Sequence, residues 1–361
     1  MTAAPSSSAD IAVFGTGQFA GRIVFDLAAT SSEPLDVVIV GRNAERLSWL
    51  VTAANARAFM FGAKARFRAA ELDVRDKSEV AALLQHCRPR LAVQTASSQP
   101  SAVIGEDDNA WARLVAAGGL SATAVFQAAL SIMVGEAIKE AGITCAMINC
   151  CFPDVANAIL RARGIEVLCG TGNVAILSNA FAGARTGEPG RIRILAHYQQ
   201  LAAWRRPAAE RAGRPPRVWI DDSEIRDVYA RFATLKLTRE PAIEISGASG
   251  VTLMQAYVAG RDWHGHAPGP NGLPGGYPVR LSGGTLSLDL PPGLTVEEAI
   301  AWNAAFEERN GLVVKDGTCI YTGELKRLLA QEGYPFASGF PVDQTASACT
   351  AMEELRRRLI A

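Results

Sequence analysis

The chain predicts an α/β protein built on a doubly wound parallel sheet, followed by a second, α+β unit. Three observations carry this. Short, almost wholly apolar runs alternate with helical patterns from Asp10 onward. A strand-like "IAVFG" runs into a glycine turn and then a helix. Past Gly183 the regular alternation stops. Near-continuous apolar strands belong to sheets covered on both faces, and right-handed crossovers bring their C-terminal ends to one edge.

The elements follow in order. "MTAAPSSSAD" has no apolar stretch of signal-peptide type, and residues 1–9 read as a flexible tail. "IAVFG" is the first strand and "QFAGRIVFDLAAT" the first helix; "LDVVIVG", "AELDV", "LAVQTA" and "AMINCC" are later strands, separated by helices such as "KSEVAALLQHC". Leu114–Gly135 carries no charge and is long enough to span a bilayer, but Gly118, Gly119, Ser121, Thr123 and Gln127 make it a buried, interrupted helix. "GARTGEPGR" is a linker, so residues 10–183 form one domain and 184–361 another, whose C-terminal helices can pack back on the first. In the second half "RIRILAHYQQL", "PRVWI" and "PAIEIS" suggest strands, and "GGYPVRLSGGTLSLDLP" a hairpin turning at Gly283–Gly284. Thr295 with Glu298 starts a helix that stops at Gly311. "GRDWHGHAPGPNGLPGGYP" reads as a long loop, a candidate lid.

Composition narrows the function. Lys+Arg and Asp+Glu both number 36, so the basic excess of a nucleic-acid or anionic-membrane binder is missing. The seven cysteines are irregularly spaced, with no C-x-x-C pair for a structural metal and no disulfide framework, which suggests a reducing cytoplasm. No metal site is expected, since His264 and His266 alone make a weak ligand set.

"GTGQFA" places Gly15, Gly17 and Ala20 as G-x-G-x-x-A between a strand and a helix. That spacing allows a tight turn, close approach of a pyrophosphate and close helix packing, the Rossmann-type arrangement for a dinucleotide. Thr16, Gln18 and Phe19 complete the turn. After the second strand stand Gly41, Arg42 and Asn43, with no acid before Glu45. A guanidinium there suits a 2′-phosphate, so NADP is expected over NAD. Asp73 and Val74 could flank the adenine, and Ser97, Ser98 and Gln99 could lie near the nicotinamide ribose, although all of these suit ordinary turns.

With these motifs, "FGTGQFAGRIVFDLA", "VVIVGRNAERL" and "AMINCCFPD", the N-terminal half resembles the saccharopine dehydrogenase-like group of NAD(P) oxidoreductases. The group's turn after the last of these strands has Cys150 and Pro153 as counterparts, with Cys151 and Asp154 where glycines would stand. The resemblance implies pyridine-nucleotide-linked chemistry at a carbon–nitrogen or carbonyl centre. The substrate expectation is accordingly a small polar imine, keto or amino acid. Phe152, Pro153, Asp154, Asn173 and Arg280 are the candidate substrate contacts, and His197, His264 and Tyr257 the candidate proton donors. Cys151 offers a rival chemistry, a cysteine-dependent semialdehyde or acyl-phosphate reductase, but its neighbours favour a cleft-wall thiol. A non-catalytic NADP-sensing regulator is the third reading. The expected assembly is a homodimer.

Overall fold

The computed structural model describes residues 8–99 and 109–360, with the side chains of residues 239–241 left aside. In chain order the elements are β1 (Ile11–Phe14), α1 (Gln18–Thr30), β2 (Leu35–Gly41), α2 (Ala44–Phe61), β3 (Ala65–Glu71), α3 (Lys77–Cys87), β4 (Leu91–Gln94), α4 (Ala110–Gly118), α5 (Ala124–Ala141), β5 (Ala146–Asn149), α6 (Val155–Ala162) and α7 (Val174–Gly183). There follow β6 (Ile192–Leu195), β7 (Arg217–Ile220), β8 (Ser223–Glu224), α8 (Val228–Arg231), α9 (Arg239–Ala248), α10 (Val251–Val258), β9 (Trp263–Pro268), β10 (Gly276–Ser282) and β11 (Thr285–Leu288). The chain closes with α11 (Val296–Arg309), β12 (Leu312–Lys315), β13 (Thr318–Tyr321), α12 (Gly323–Gln331), β14 (Phe340–Pro341) and α13 (Thr345–Ile360).

The first five strands form one parallel sheet in the order β3-β2-β1-β4-β5. Its inner strands β1, β2 and β4 are almost wholly apolar because both faces are covered, whereas the edge strand β3 alternates buried Ala65 and Phe67 with Arg66 and Arg68. Ala12, Phe14, Val38, Val40 and Ala92 point into a core shared with α3, α4, α5, α6 and α13. Their neighbours Ile11, Val13, Val37, Ile39, Leu91 and Val93 point into the opposite core, with α1, α2, α10 and the β9–β11 sheet. The strand order reverses between β1 and β4, which puts the ligand crevice of such a sheet at their C-terminal ends. Three small antiparallel sheets accompany it: β6-β7-β8, β9-β10-β11 and β12-β13-β14.

The uncharged stretch 114–135 is divided as its glycines require. Gly119, at φ +104, ends α4, and a short 3-10 turn leads into α5, most of which is buried. By length and composition Leu120–Ala141 could cross a membrane, yet 78% of that window is buried within the fold. Gly283 and Gly284 both take positive φ and close the β10–β11 hairpin, and Thr295 and Glu298 form a reciprocal capping box on α11.

Three expectations differ from the structure. "PAIEIS" lies in α9, not in a strand; a proline in a helix's first turn gives up an N–H that has no intrahelical partner anyway. The presumed lid is ordered structure, because residues 263–268 pair with β10 over six register positions. Residues 1–7 of the expected tail lie outside the described residues, but Ala9 is already fastened, donating to the Cys87 carbonyl at 2.8 Å.

Candidate active site

The turn after β1 is built to admit something against its backbone. Gly15 sits at φ +118, and a Cβ there would stand 2.3 Å from Thr95 Oγ1, so the residue must be glycine for β1 and β4 to leave the sheet side by side. Gly17 differs: it is extended and exposed, and a Cβ on it would meet nothing within 4 Å. No side chain caps α1 at this end and its first turn holds no acid. A helix N-terminus of this kind offers N–H donors and a positive dipole end to an anion. Ala20 is buried and Phe19 half-buried against the core under α1, while Gln18 is exposed.

Two arginines flank the turn. Arg46 donates from Nε to the Thr16 carbonyl at 2.6 Å. Arg42 is largely exposed, its Nη1 3.7 Å from Asp73 Oδ2 at the end of β3. Asp73 also binds Arg75, whose hydrogen bonds hold its carboxyl down at about 2. Gly41 has to be small because a Cβ would press on the Thr16 methyl at 2.6 Å. Asn43 has a local task, accepting from the Arg46 N–H at 2.8 Å to cap α2. Val74 is buried in the core and presents no wall to an adenine.

Beyond β4 the chain is tied to the α5 layer. Ser97 Oγ donates to the Gln99 carbonyl at 2.8 Å, the Ser98 N–H reaches the Phe126 carbonyl, and buried Gln99 accepts from Arg356 on α13 at 3.1 Å. β5 leaves the sheet beside it. The Cys151 thiol donates to the Ala96 carbonyl at 3.3 Å, and burial pushes it up to about 12. A thiol so held is wall material, because burial outweighs the Ser131 hydroxyl, the neighbour that favours a thiolate. A cis Phe152–Pro153 bond follows, then Asp154 at the head of α6.

From here a buried polar group assembles. Asn173, at the head of α7, takes φ +47 and ψ −108, a conformation costly for any residue but glycine. Its side chain donates to Asp154 Oδ1. Phe152 packs edge-on against Tyr198 at 4.6 Å between centroids. His197 is fully buried; its Nδ1 accepts from the Gln199 N–H, so the ring proton belongs on Nε2, which lies 3.1 Å from Glu307 Oε1 but off the line of a hydrogen bond. Burial, reinforced by the charge of Glu307, holds the Asp154 carboxyl well above the usual range. Asp154 Oδ2, both Glu307 oxygens and Asn303 Oδ1 are buried without a hydrogen-bond partner among the described residues. Orphaned buried acceptors are costly enough that their gathering in one place marks a site rather than a core.

Glu307 and Asn303 were not anticipated, although the signal was there. Ala299, Trp302, Asn303, Phe306 and Glu307 are the buried face of α11, and an acid and an amide on that stripe of the helical period stand out.

Three expected residues lie elsewhere. Tyr257 on α10 neighbours Arg90 and Cys145, which precede β4 and β5, so it faces the sheet edge opposite the glycine turn. His264 and Arg280 are cross-strand partners on an exposed face of the β9–β10 pair, where His264 Nδ1 meets Asp289 at 3.1 Å beside Arg191. His266 is half-buried, accepts the Ile194 N–H at 2.9 Å, and is depressed to about 3, chiefly by desolvation. In each case burial and strand register, invisible one residue at a time, set the position. Among the described residues no His, Cys, Asp or Glu cluster suits a metal ion.

No protein-family model matches the sequence, and no curated protein matches it. Solved structures do resemble it in fold. The chain is similar to a lactate dehydrogenase of Eimeria maxima solved with NADH and oxamate, at 15% identity and TM-score 0.51, covering 84% of this chain and 95% of that one. It is similar to the malate dehydrogenase of Cryptosporidium parvum at 13% identity and TM-score 0.51, over 84% and 98%. A lactate dehydrogenase from a Medee basin deep-sea metagenome library aligns at 12% identity and TM-score 0.51, over 84% and 98%. At these identities the likeness is one of fold: a Rossmann-type sheet with added antiparallel sheets.

Proposed function

We propose that the protein is an NADP-dependent oxidoreductase that moves a hydride to or from a small polar imine, keto or amino-acid-type substrate. One observation carries the reading. Open Gly17 and the uncapped head of α1 stand at the strand-order reversal, with Arg42 and Arg46 where an acid would serve NAD. Gly15, Thr16 and Gly17 would hold the diphosphate, and Arg42 the 2′-phosphate. Bound there, the nicotinamide supplies the hydride chemistry.

The chain's own residues then have a proton to manage. Asp154, His197 and Glu307 lie one aromatic layer, Phe152 and Tyr198, beyond the exits of β4 and β5. Asp154, whose carboxyl is held above the usual range, is the group able to give a proton to a receiving nitrogen or oxygen, and the Nε2–H of His197 can donate a hydrogen bond to it. The saccharopine dehydrogenase-like motifs favour a C–N centre; the dehydrogenases of similar fold favour a keto or hydroxy acid. The depressed reactivity of buried Cys151 weighs against the thiol-dependent alternative. A homodimer in a reducing cytoplasm belongs to the same reading; Phe59, Met60 and Phe61, exposed at the end of α2, supply apolar surface for assembly.

Fluorescence titration with NADPH and NADH tests it. NADPH should bind tighter, and Arg42→Ala should weaken NADPH about tenfold while leaving NADH unchanged. Equal affinities, insensitive to that change, would remove the NADP assignment, and failure of both nucleotides to bind would remove the oxidoreductase reading.

A further inference from the structure

On the outer side of α11 lies a groove of about 400 Å³, lined by Arg214, Arg217, Gly293, Leu294, Glu298 and Trp302. Its cations are unevenly used. Arg217 is paired with Glu224 at 2.7 Å. Arg214 is exposed and stacks on Trp302 at 4.8 Å, and Arg309, also exposed, stacks on Phe306 at 4.5 Å. Neither Arg214 nor Arg309 has a carboxylate partner among the described residues. They crowd each other: Arg214 is lowered below the usual guanidinium range by burial first, then by the charges of Arg309 and Arg217. The acid in the lining, Glu298, is occupied in capping α11, accepting from the Thr295 N–H at 2.9 Å. Guanidinium groups fixed flat on aromatic rings keep their edge donors free and lose little freedom when they bind an anion.

We propose that this groove is a binding site for a small organic anion, a carboxylate or a phosphate ester, gripped by Arg214 over the Trp302 ring, with Arg309 adding positive charge from beyond the lining. It is separate from the glycine-turn crevice. It abuts the buried acid–imidazole group, since Phe306 stacks on His197 at 5.6 Å, Gln200 accepts the His197 N–H, and Gln200 donates to the Arg214 carbonyl at 2.8 Å. Occupancy of the groove would therefore press on the wall that fixes His197.

Calorimetric titration of the full chain, without nucleotide, with inorganic phosphate and with succinate as separate probes, tests the site. At least one probe should bind saturably at millimolar or lower concentration, and the stronger of the two names the anion class. Arg214→Ala should weaken it about tenfold and Arg309→Ala, whose charge acts from beside the groove, by about threefold; Glu298→Gln should leave it equal or tighter, and Arg261→Ala, an exposed arginine outside the groove, should do nothing. Circular dichroism checks that the variants keep the fold. Absence of saturable binding by both probes, or binding indifferent to Arg214 and Arg309, would overturn the proposal. Because no nucleotide is present, that outcome leaves the cofactor reading to its own test.

Discussion

His197 and Glu307 meet at 3.1 Å with both side chains closed off from solvent, and the Phe306 ring lies parallel to the imidazole, holding it in place. One residue comes from the turn after β6 and the other from the last turn of α11, so the pair ties two distant segments together. Asp154 completes the group, its carboxyl held well above the usual range by burial and by the charge of Glu307.

Glu307→Gln tests whether this pair serves chemistry. The amide preserves shape but removes the charge beside the imidazole that helps to raise Asp154. Turnover with a competent substrate should fall at least about tenfold, with the kcat–pH profile shifted, while NADPH affinity stays unchanged. A loss confined to nucleotide binding would assign the pair to structure.

The glycines of the first turn should separate under substitution. Gly15→Ala forces a Cβ into Thr95 at positive φ, and should destabilise the fold by about 2 kcal/mol in urea unfolding. Gly17→Ala meets nothing in the protein, so its unfolding midpoint should match the parent's while dinucleotide affinity drops about tenfold or more. Equal nucleotide binding by Gly17→Ala would show that nothing approaches the backbone there.

What could be read from the chain alone follows the range of the forces involved. The β1 turn, the interrupted 114–135 helix and the Thr295 cap depend on neighbours a few residues away, and each stands as its local pattern requires. Position relative to distant elements is another matter. Tyr257, His264 and Arg280 have suitable chemistry but face away from the crevice because strand register and helix rotation turn them there. Glu307 looked like one more charge in "AFEERNG", and only the packing of α11 against the turn after β6 turns it inward. "WHGHAP", rich in small residues, is a strand because β10 pairs with it.

Cys151 should behave as an inert thiol. With its ionisation pushed up to about 12, it should resist iodoacetamide at pH 8 in the folded protein and react once denatured, read by mass spectrometry of the peptide. Cys151→Ala should keep hydride-transfer activity within about threefold. Rapid alkylation of the native protein would return the cysteine-dependent chemistry to consideration.

His266 and buried Asp154 should tilt the stability–pH curve in opposite directions. His266 is held near 3 against an ordinary 6.5, so its contribution is whole above 6.5 and is lost as pH falls toward 3, when the unfolded imidazole takes a proton that the folded one refuses. Asp154 is raised from 3.8, so its contribution is whole below that value and is lost as pH rises, when the unfolded carboxyl gives up a proton that the folded one keeps. Above about pH 4 the two effects oppose each other in the parent protein. Asp154→Asn can still accept from Asn173 but no longer titrates, so the uncompensated His266 slope should emerge, steepening the acid side by up to about 1.4 kcal/mol per pH unit. Urea unfolding of both proteins from about pH 4 to about pH 8 measures it. Parallel curves would mean that Asp154 titrates alike folded and unfolded, and that the carboxyl at the head of α6 is no proton store.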